Sequence, residues 1–323
     1  MNQPNPLKTF FSIVFGGLIT LFLCVGIFSI GMYVWHSSEH ADLARVGETA
    51  AVSSASAYIL NKAEAYAQRY SAADEEDLIN AAANALPQGQ ISHVTAKAYI
   101  VKDMTTGQVI VDQNSNQLLP IASLTKLVTA VVARKLIPDI SRISITKSVT
   151  STYGNTADFV AGETFTANDL LYPLLMVSSN DAAEAFAQYY GRAKFIQAMN
   201  EFTQSIGAYR TSFSDPSGLD PKNISTANDL ALIMKWIYKN DPTIVGITEL
   251  KAKTIRSHTW INPTHFLSWS YYVGGKNGYL PEANRTNVSL FKWGEKSDVY
   301  TIVVLGSGQR DADTLALLKK VQP

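Results

Sequence analysis

The chain has 323 residues, 46% of them hydrophobic, with 27 basic and 27 acidic side chains that cancel. That length holds one large domain or two ordinary ones with a proper core, and a balanced charge with no basic run argues against a nucleic-acid partner. A single cysteine, Cys24, rules out an intramolecular disulfide and sits in an apolar run unsuited to a thiol nucleophile, while the five histidines lack metal-site spacing such as H-E-x-x-H, so neither cofactor nor metal is called for.

In chain order, residues 1–9 read as a short cytoplasmic tail. Phe10 to Trp35 is an uncharged apolar stretch of 26 residues, long enough to span about 30 Å of hydrocarbon. The competing reading is a cleaved signal peptide, but its apolar region would be about 7–15 residues with small residues at its end. Here Met32-Tyr33-Val34-Trp35 close the stretch with bulky side chains suited to a membrane interface. Lys8 precedes the span and Glu39 and Asp42 follow it. The positive-inside tendency therefore predicts a single-pass helix with its N-terminus in the cytoplasm and the bulk of the chain outside. His36 and His40 stand at helical i, i+4 spacing beside it and read as interfacial rather than ligating.

Residues 36–89 read as a helical stalk or linker: Ala41 to Tyr70 is rich in Ala, Glu, Lys and Gln, and a short amphipathic segment, Leu78 to Leu86, stops at Pro87-Gln88-Gly89. No sustained heptad repeat points to a coiled coil. The period changes near Thr95. Ala96–Val101 and Gln108–Val111 read as strands around a turn at Met104–Gly107. The run LLPIASLTKLVTAVVARKLI reads as a loop entering an apolar helix, and Ser141–Thr150 contains an alternating strand-like stretch. Thr166 to Ile206 is helical in pattern, and Thr226-Ala227-Asn228-Asp229 looks like a capping box opening a helix through Tyr238. Strand character returns at Lys253–Ser257, Tyr271–Gly275, Asn287–Trp293 and Val299–Gly306, and Asp311–Val321 closes as a helix. This order predicts an α+β fold, an antiparallel sheet built from both chain ends with a helical cluster inserted, over residues 90–323.

Three short patterns carry chemistry. Ser123-Leu124-Thr125-Lys126 puts a hydroxyl and an amine on one helix face, three positions apart. A serine becomes a nucleophile when a base takes its proton, and a lysine one turn away is such a base if its ammonium can lose a proton near neutrality. Ser178-Ser179-Asn180 follows 55 positions later, between two helical patterns; its plain reading is a helix N-cap. Lys276-Asn277-Gly278 comes 98 positions further on, after Gly274-Gly275 at the end of a strand, and its plain reading is an Asn-Gly turn.

The ordered set resembles the serine D-alanyl-D-alanine carboxypeptidases, the low-molecular-mass penicillin-binding proteins, whose fold is shared with serine β-lactamases. Pro120–Lys126 looks like their P-A-S-x-T-K, Met176–Ala183 like their S-x-N-D-A-A, and Phe213–Leu219, with Asp215-Pro216-Ser217-Gly218-Leu219, like their F-x-x-x-x-G-L loop. The match runs over roughly residues 95–318. The resemblance implies an acyl-enzyme on Ser123, with Lys126 as base and Ser178 relaying a proton to the leaving amine. Asn180 would orient the substrate amide, Lys276 and Asn277 would hold its terminal carboxylate, and the backbone N–H groups of Ser123 and of Tyr279, after Gly278, would form the oxyanion hole. It also implies peptidoglycan stem peptides as substrate and β-lactams as covalent inhibitors. Two departures stand out: Asn277 replaces the usual threonine of the third element, and the chain ends soon after its last strand, where many relatives carry a β-rich domain and an amphipathic anchor that the N-terminal span would replace.

Arg285 and Arg310 read as carboxylate contacts or as surface arginines, and Trp269, Tyr271 and Tyr272 as core or cleft wall. The alternatives are a DD-endopeptidase on cross-links, a β-lactamase, and a non-catalytic wall-binding protein. The second lacks an E-x-x-L-N stretch between Asn180 and Lys276, and the third sits poorly with the intact reactive set.

Overall fold

The computed structural model describes residues 94–154, 156–293 and 298–321. The anticipated membrane span, the stalk, and His36 and His40 lie outside the described residues. Among the described residues no helix is long and apolar enough to cross a membrane.

The sheet is antiparallel and five-stranded, in the order β2-β1-β11-β10-β9. β1 (Ala98–Asp103) and β2 (Val109–Gln113) come from one end of the domain; β9 (Tyr272–Leu280), β10 (Asn284–Trp293) and β11 (Asp298–Ser307) come from the other. β1 joins the two halves by pairing with β11 from Ala98↔Leu305 to Asp103↔Tyr300. Val101, Ile302 and Val304 face one side with Phe266 and Phe291, while Ala98, Ile100, Val303 and Leu305 face the other and join the main core. That alternation of faces is what the period-2 pattern predicts.

Between the sheet halves come β3 (Leu119–Pro120), α1 (Thr125–Leu136), β4 (Arg142–Ser144), α2 (Lys147–Thr150), β5 (Thr164–Thr166), α3 (Ala167–Met176), α4 (Asn180–Tyr190), α5 (Arg192–Ser205), β6 (Ile224–Ser225), α6 (Ala227–Asn240), α7 (Pro242–Thr248), β7 (Ala252–Ile255) and β8 (His258–Ile261); α8 (Arg310–Leu318) closes the fold. α1 is the axis of the helical cluster. Every residue from Thr125 to Ala133 is buried, so this part of the helix is enclosed on all faces, packed by α3, α4 and α5, and only its last turn reaches the surface.

Several local expectations change. The strand-like run at Ser141–Thr150 splits: β4 ends at Ser144, and Thr146 caps a single helical turn by accepting from Val149 N at 3.2 Å. A capping box is complete at Thr166: its Oγ1 accepts from Asp169 N at 3.1 Å, and its backbone N–H donates to Asp169 Oδ2 at 3.2 Å. At Thr226 only half of it forms, because Asp229 turns its carboxylate to Arg210 N and Thr211 Oγ1 instead. The Lys276-Asn277-Gly278 segment is not a turn. It lies inside β9, opposite Val288, Asn287 and Thr286 of β10.

Candidate active site

Ser123 stands in a 3-10 turn, Ala122–Leu124, that feeds directly into α1. Ala122 holds a left-handed φ of 50°, a conformation costing an L-residue about 1–2 kcal/mol. Its surroundings enforce it. Thr125 Oγ1 donates to Ala122 O at 2.8 Å, and Thr286 Oγ1 on β10 donates to Ile121 O at 3.1 Å. Gly218 presses so closely that a Cβ there would sit 2.0 Å from Ala122 O. On the other side a Cβ on Gly278 of β9 would lie 2.8 Å from Ser123 N. The nucleophile turn is thus clasped between the 215–220 loop and the edge strand.

Lys126 is fully buried. Its Nζ lies 3.0 Å from Ser123 Oγ, 2.7 Å from Asn180 Oδ1 and 2.5 Å from the Ser217 carbonyl. Two of these three neighbours can only accept. A neutral amine has two N–H bonds and one lone pair, so Asn180 and Ser217 take the hydrogens and the lone pair is left facing the Ser123 hydroxyl. Burial, and then the positive charge of Lys276, hold the Lys126 pKa well below the usual lysine value, with Asp215 opposing them. Geometry and electrostatics agree on an amine that can receive a proton.

Asn180 opens α4, and its amide is oriented from both ends: Nδ2 donates to the Tyr153 carbonyl at 2.7 Å. The N-cap of that helix is Ser179, which accepts from Ala182 N at 3.1 Å. The cap expected of this stretch therefore exists, but in the middle residue, leaving Ser178 and Asn180 for other work. Ser178 has a left-handed φ of 60°, and its Oγ is buried with no hydrogen-bond partner. Strain together with an unsatisfied hydroxyl marks a functional position rather than a packing one.

Lys276 is 5% exposed and donates to the Asn277 carbonyl at 2.8 Å. Burial, then the charge of Arg310, push its pKa down to about 7. Arg310 is no free surface arginine: it binds Asp311 at 2.7 Å, and its side chain is 19% exposed. Arg285 instead donates to Gly308 O at 3.1 Å and lies over the Tyr279 ring. Asn277 is half-buried beside Lys276, and Tyr279 is exposed on the rim. A narrow polar cleft beside Lys276 is lined by Met176, Asn262, Thr264, Tyr272, Asn277 and Asn287. A broader surface depression follows α5 and contains none of these residues. Among the described residues no group of three or more His, Asp, Glu or Cys side chains is placed to hold a metal ion.

The structure thus brings Ser123, Lys126 and Asn180 into direct contact, sets Lys276 within electrostatic reach, and places Gly278 against the Ser123 amide. Ser178 stands on the α3–α4 loop, two positions before Asn180, and makes no hydrogen bond to Lys126. Sequence reasoning assigned no role to the Ser217 carbonyl, since a backbone acceptor has no side-chain signature; the Asp-x-Ser-Gly turn pattern around it was the available signal.

A model of the D-alanyl-D-alanine carboxypeptidase peptidase family matches residues 82–308. The chain belongs to that family. A D-alanyl-D-alanine endopeptidase of Haemophilus influenzae is 31% identical over 242 residues, covering 71% of this chain and 82% of the relative. Among solved structures, a D-alanyl-D-alanine carboxypeptidase of Mycobacterium tuberculosis superposes with a TM-score of 0.66 at 28% identity, over 71% of this chain and 91% of that one. Penicillin binding protein 5 of Haemophilus influenzae gives 0.65 at 25% identity, over 71% and 70%. The fold of this family is the penicillin-binding-protein arrangement of sheet and helical cluster described above.

Proposed function

We infer that the protein is a serine D-alanyl-D-alanine carboxypeptidase that releases the terminal D-Ala of peptidoglycan stem peptides and is acylated by penicillins. The observation that carries this reading is the Lys126 amine, buried, committed through two acceptors, and aimed at Ser123 Oγ. As the Ser123 oxygen bonds to the peptide carbonyl carbon, its proton passes to Lys126 Nζ and the carbonyl oxygen becomes an oxyanion. The N–H groups of Ser123 and Tyr279 would receive that charge; removing one such donor typically costs about 10²–10³ in rate. On collapse the C–N bond breaks, and the leaving amine takes a proton by way of the unpartnered Ser178 hydroxyl. Water then attacks the ester and restores Ser123. Lys276 and Asn277 suit the substrate carboxylate, the asparagine offering an N–H where the family has a hydroxyl.

A labelled penicillin should mark the wild-type chain and leave Ser123→Ala unmarked, with D-Ala release lost in parallel; equal labelling of the two would sink the assignment. The naming of the Haemophilus relative favours a second reading, cleavage of D-Ala–containing cross-links. Purified monomeric and cross-linked muropeptides, offered side by side, separate the two.

We further propose that Phe10–Trp35 anchors the chain in the cell membrane as a single span, with residues 1–9 in the cytoplasm, 36–89 as a stalk and 90–323 as an extracytoplasmic catalytic domain. The support is the uncharged apolar length and the flanking charges. A protein that alkaline carbonate extracts from membranes, or that resists external protease in spheroplasts, would contradict it.

A further inference from the structure

The 215–220 loop is folded around one side chain. Asp215 Oδ1 accepts from Ser217 N at 2.6 Å, Ser217 Oγ at 2.7 Å and Gly218 N at 2.7 Å, and Oδ2 accepts from Asp220 N at 2.6 Å. Asp215 is 6% exposed. Asn223 binds the loop from its other side. Its Oδ1 accepts from Ser214 N and Asp215 N, and its Nδ2 donates to the Asp215 carbonyl at 2.9 Å and to Thr125 Oγ1 at 3.0 Å. The loop turns two successive carbonyls onto α1: Pro216 O accepts from Thr129 Oγ1 at 2.5 Å, and Ser217 O accepts from Lys126 Nζ. Thr129 and Lys126 are one helical turn apart, so this peptide segment docks along a single face of the nucleophile helix.

We propose that Asp215 is a positioning residue for acylation: by organising this turn it fixes the Ser217 carbonyl on the Lys126 amine, and it sets one negative charge behind the base. The carbonyl consumes one N–H of the amine, which aims the lone pair at Ser123. The charge has the opposite tendency to Lys276. Of the charged groups acting on Lys126, Lys276 from β9 favours the neutral amine and Asp215 favours the ammonium. Arg192, at the start of α5 and bound by Glu184, is a further cation that feels the Asp215 charge. Asp215 therefore gives the base its direction while limiting how far its proton affinity falls, a balance that sets the pH at which the enzyme begins to acylate.

The experiment measures the rate of acylation by a labelled penicillin as a function of pH, normalised to the active fraction by the final extent of labelling, for the full chain. Asp215→Asn keeps an oxygen for Ser217 and Gly218 but removes the charge. Its rising acid limb should move to lower pH by about half a unit to one unit, as expected for deleting one nearby charge. Ser217→Ala removes only a hydroxyl from the turn and keeps the charge; it should acylate more slowly with the limb in place. Should Asp215→Asn not fold, Asp215→Glu decides: the charge is retained on a longer arm, so a slower rate with the wild-type limb is expected, and a displaced limb overturns the proposal. A limb in Asp215→Asn that coincides with wild type overturns it as well, as does an equal displacement in Ser217→Ala. The inference rests on Lys126 being the base. Were that wrong, Lys126→Ala would acylate as fast as wild type, an outcome distinct from a limb that exists but does not move.

Discussion

The Lys126 amine and the Asn180 carboxamide are bound at 2.7 Å, and the amide cannot flip without losing its second bond to the Tyr153 carbonyl. Asn180 therefore presents an oxygen to the base and nothing else. Replacing that oxygen's neutral carrier by a charged one, Asn180→Asp, puts a carboxylate on the amine and stabilises the ammonium. The acid limb of penicillin acylation should move to higher pH, and at pH values on the rising part of the profile the rate should fall by about tenfold for each unit that the limb moves. A stopped-flow or gel-based pH series of the variant checks this, and an unmoved limb would count against Lys126 as the base.

The two lysines set opposite limbs. Lys126 must be unprotonated to accept the Ser123 proton, so kcat/KM rises with pH through its depressed pKa. Lys276 must be protonated to hold a carboxylate, so kcat/KM falls as pH passes its value of about 7. Lys276 depresses Lys126, while burial and Arg310 depress Lys276 itself, so the two limbs are linked and the measured values belong to the pair. Lys276→Arg keeps its charge at any working pH. It should flatten the alkaline limb on a D-Ala-D-Ala peptide, at some cost in KM from the altered shape. Retention of a wild-type alkaline limb in this variant would show that another group titrates there.

Gly278 is required for contact, not for a turn. Its φ is unexceptional, but a Cβ would meet Ser123 N at 2.8 Å and Thr286 Oγ1 at the same distance. Gly278→Ala should push β9 away from the nucleophile turn and remove its contribution to the oxyanion site. Acylation should drop by about 10²-fold or more, while circular dichroism and cooperative melting stay near wild type because the strand lies at the sheet edge. Normal acylation would place the oxyanion donors elsewhere.

Asp181 is a fully buried carboxyl with no hydrogen bond to either oxygen, and burial pushes its pKa up to about 6. A carboxyl raised above its unfolded value of 3.8 supports the fold fully below that pH and loses the support as pH rises through 6. Asp181→Asn should therefore melt like wild type near pH 3.5 and be more stable at pH 8, by on the order of 1–3 kcal/mol. Denaturant titrations at the two pH values test it; a variant less stable than wild type at pH 8 would mean the charged form has a partner.

Ser123, Lys126, Ser178 and Asn180 were legible because helix spacing and motif order are properties of the chain itself. Lys276-Asn277-Gly278 was found, but its conformation was misread: Asn-Gly favours a turn locally, and pairing with β10 overrides that preference. The Ser141–Thr150 stretch does contain a strand, but only as far as Ser144, because a threonine cap then starts a helical turn. α7 and β8 went unread, although Pro242 at the first helical position was a usable signal for α7. What could not be read is the role of the 215–220 loop, in which the chemistry is done by a carbonyl and only its supports, Asp215 and Asn223, are side chains.

The pairing of β1 with β11 has a consequence for how the enzyme comes into being. Ala98 must wait for Leu305, so closing the sheet means joining segments about 200 residues apart, among the slower kinds of contact a chain can make. The helices around α1 are local by comparison and can assemble earlier. Yet Thr286 and Gly278, which hold the nucleophile turn, belong to the late strands. A chain still short of its final hundred residues would therefore carry the serine and the lysine on a formed helix without reactivity. Acylating competence arrives with the completion of the molecule, which makes penicillin labelling a report on whole-domain folding as well as on chemistry.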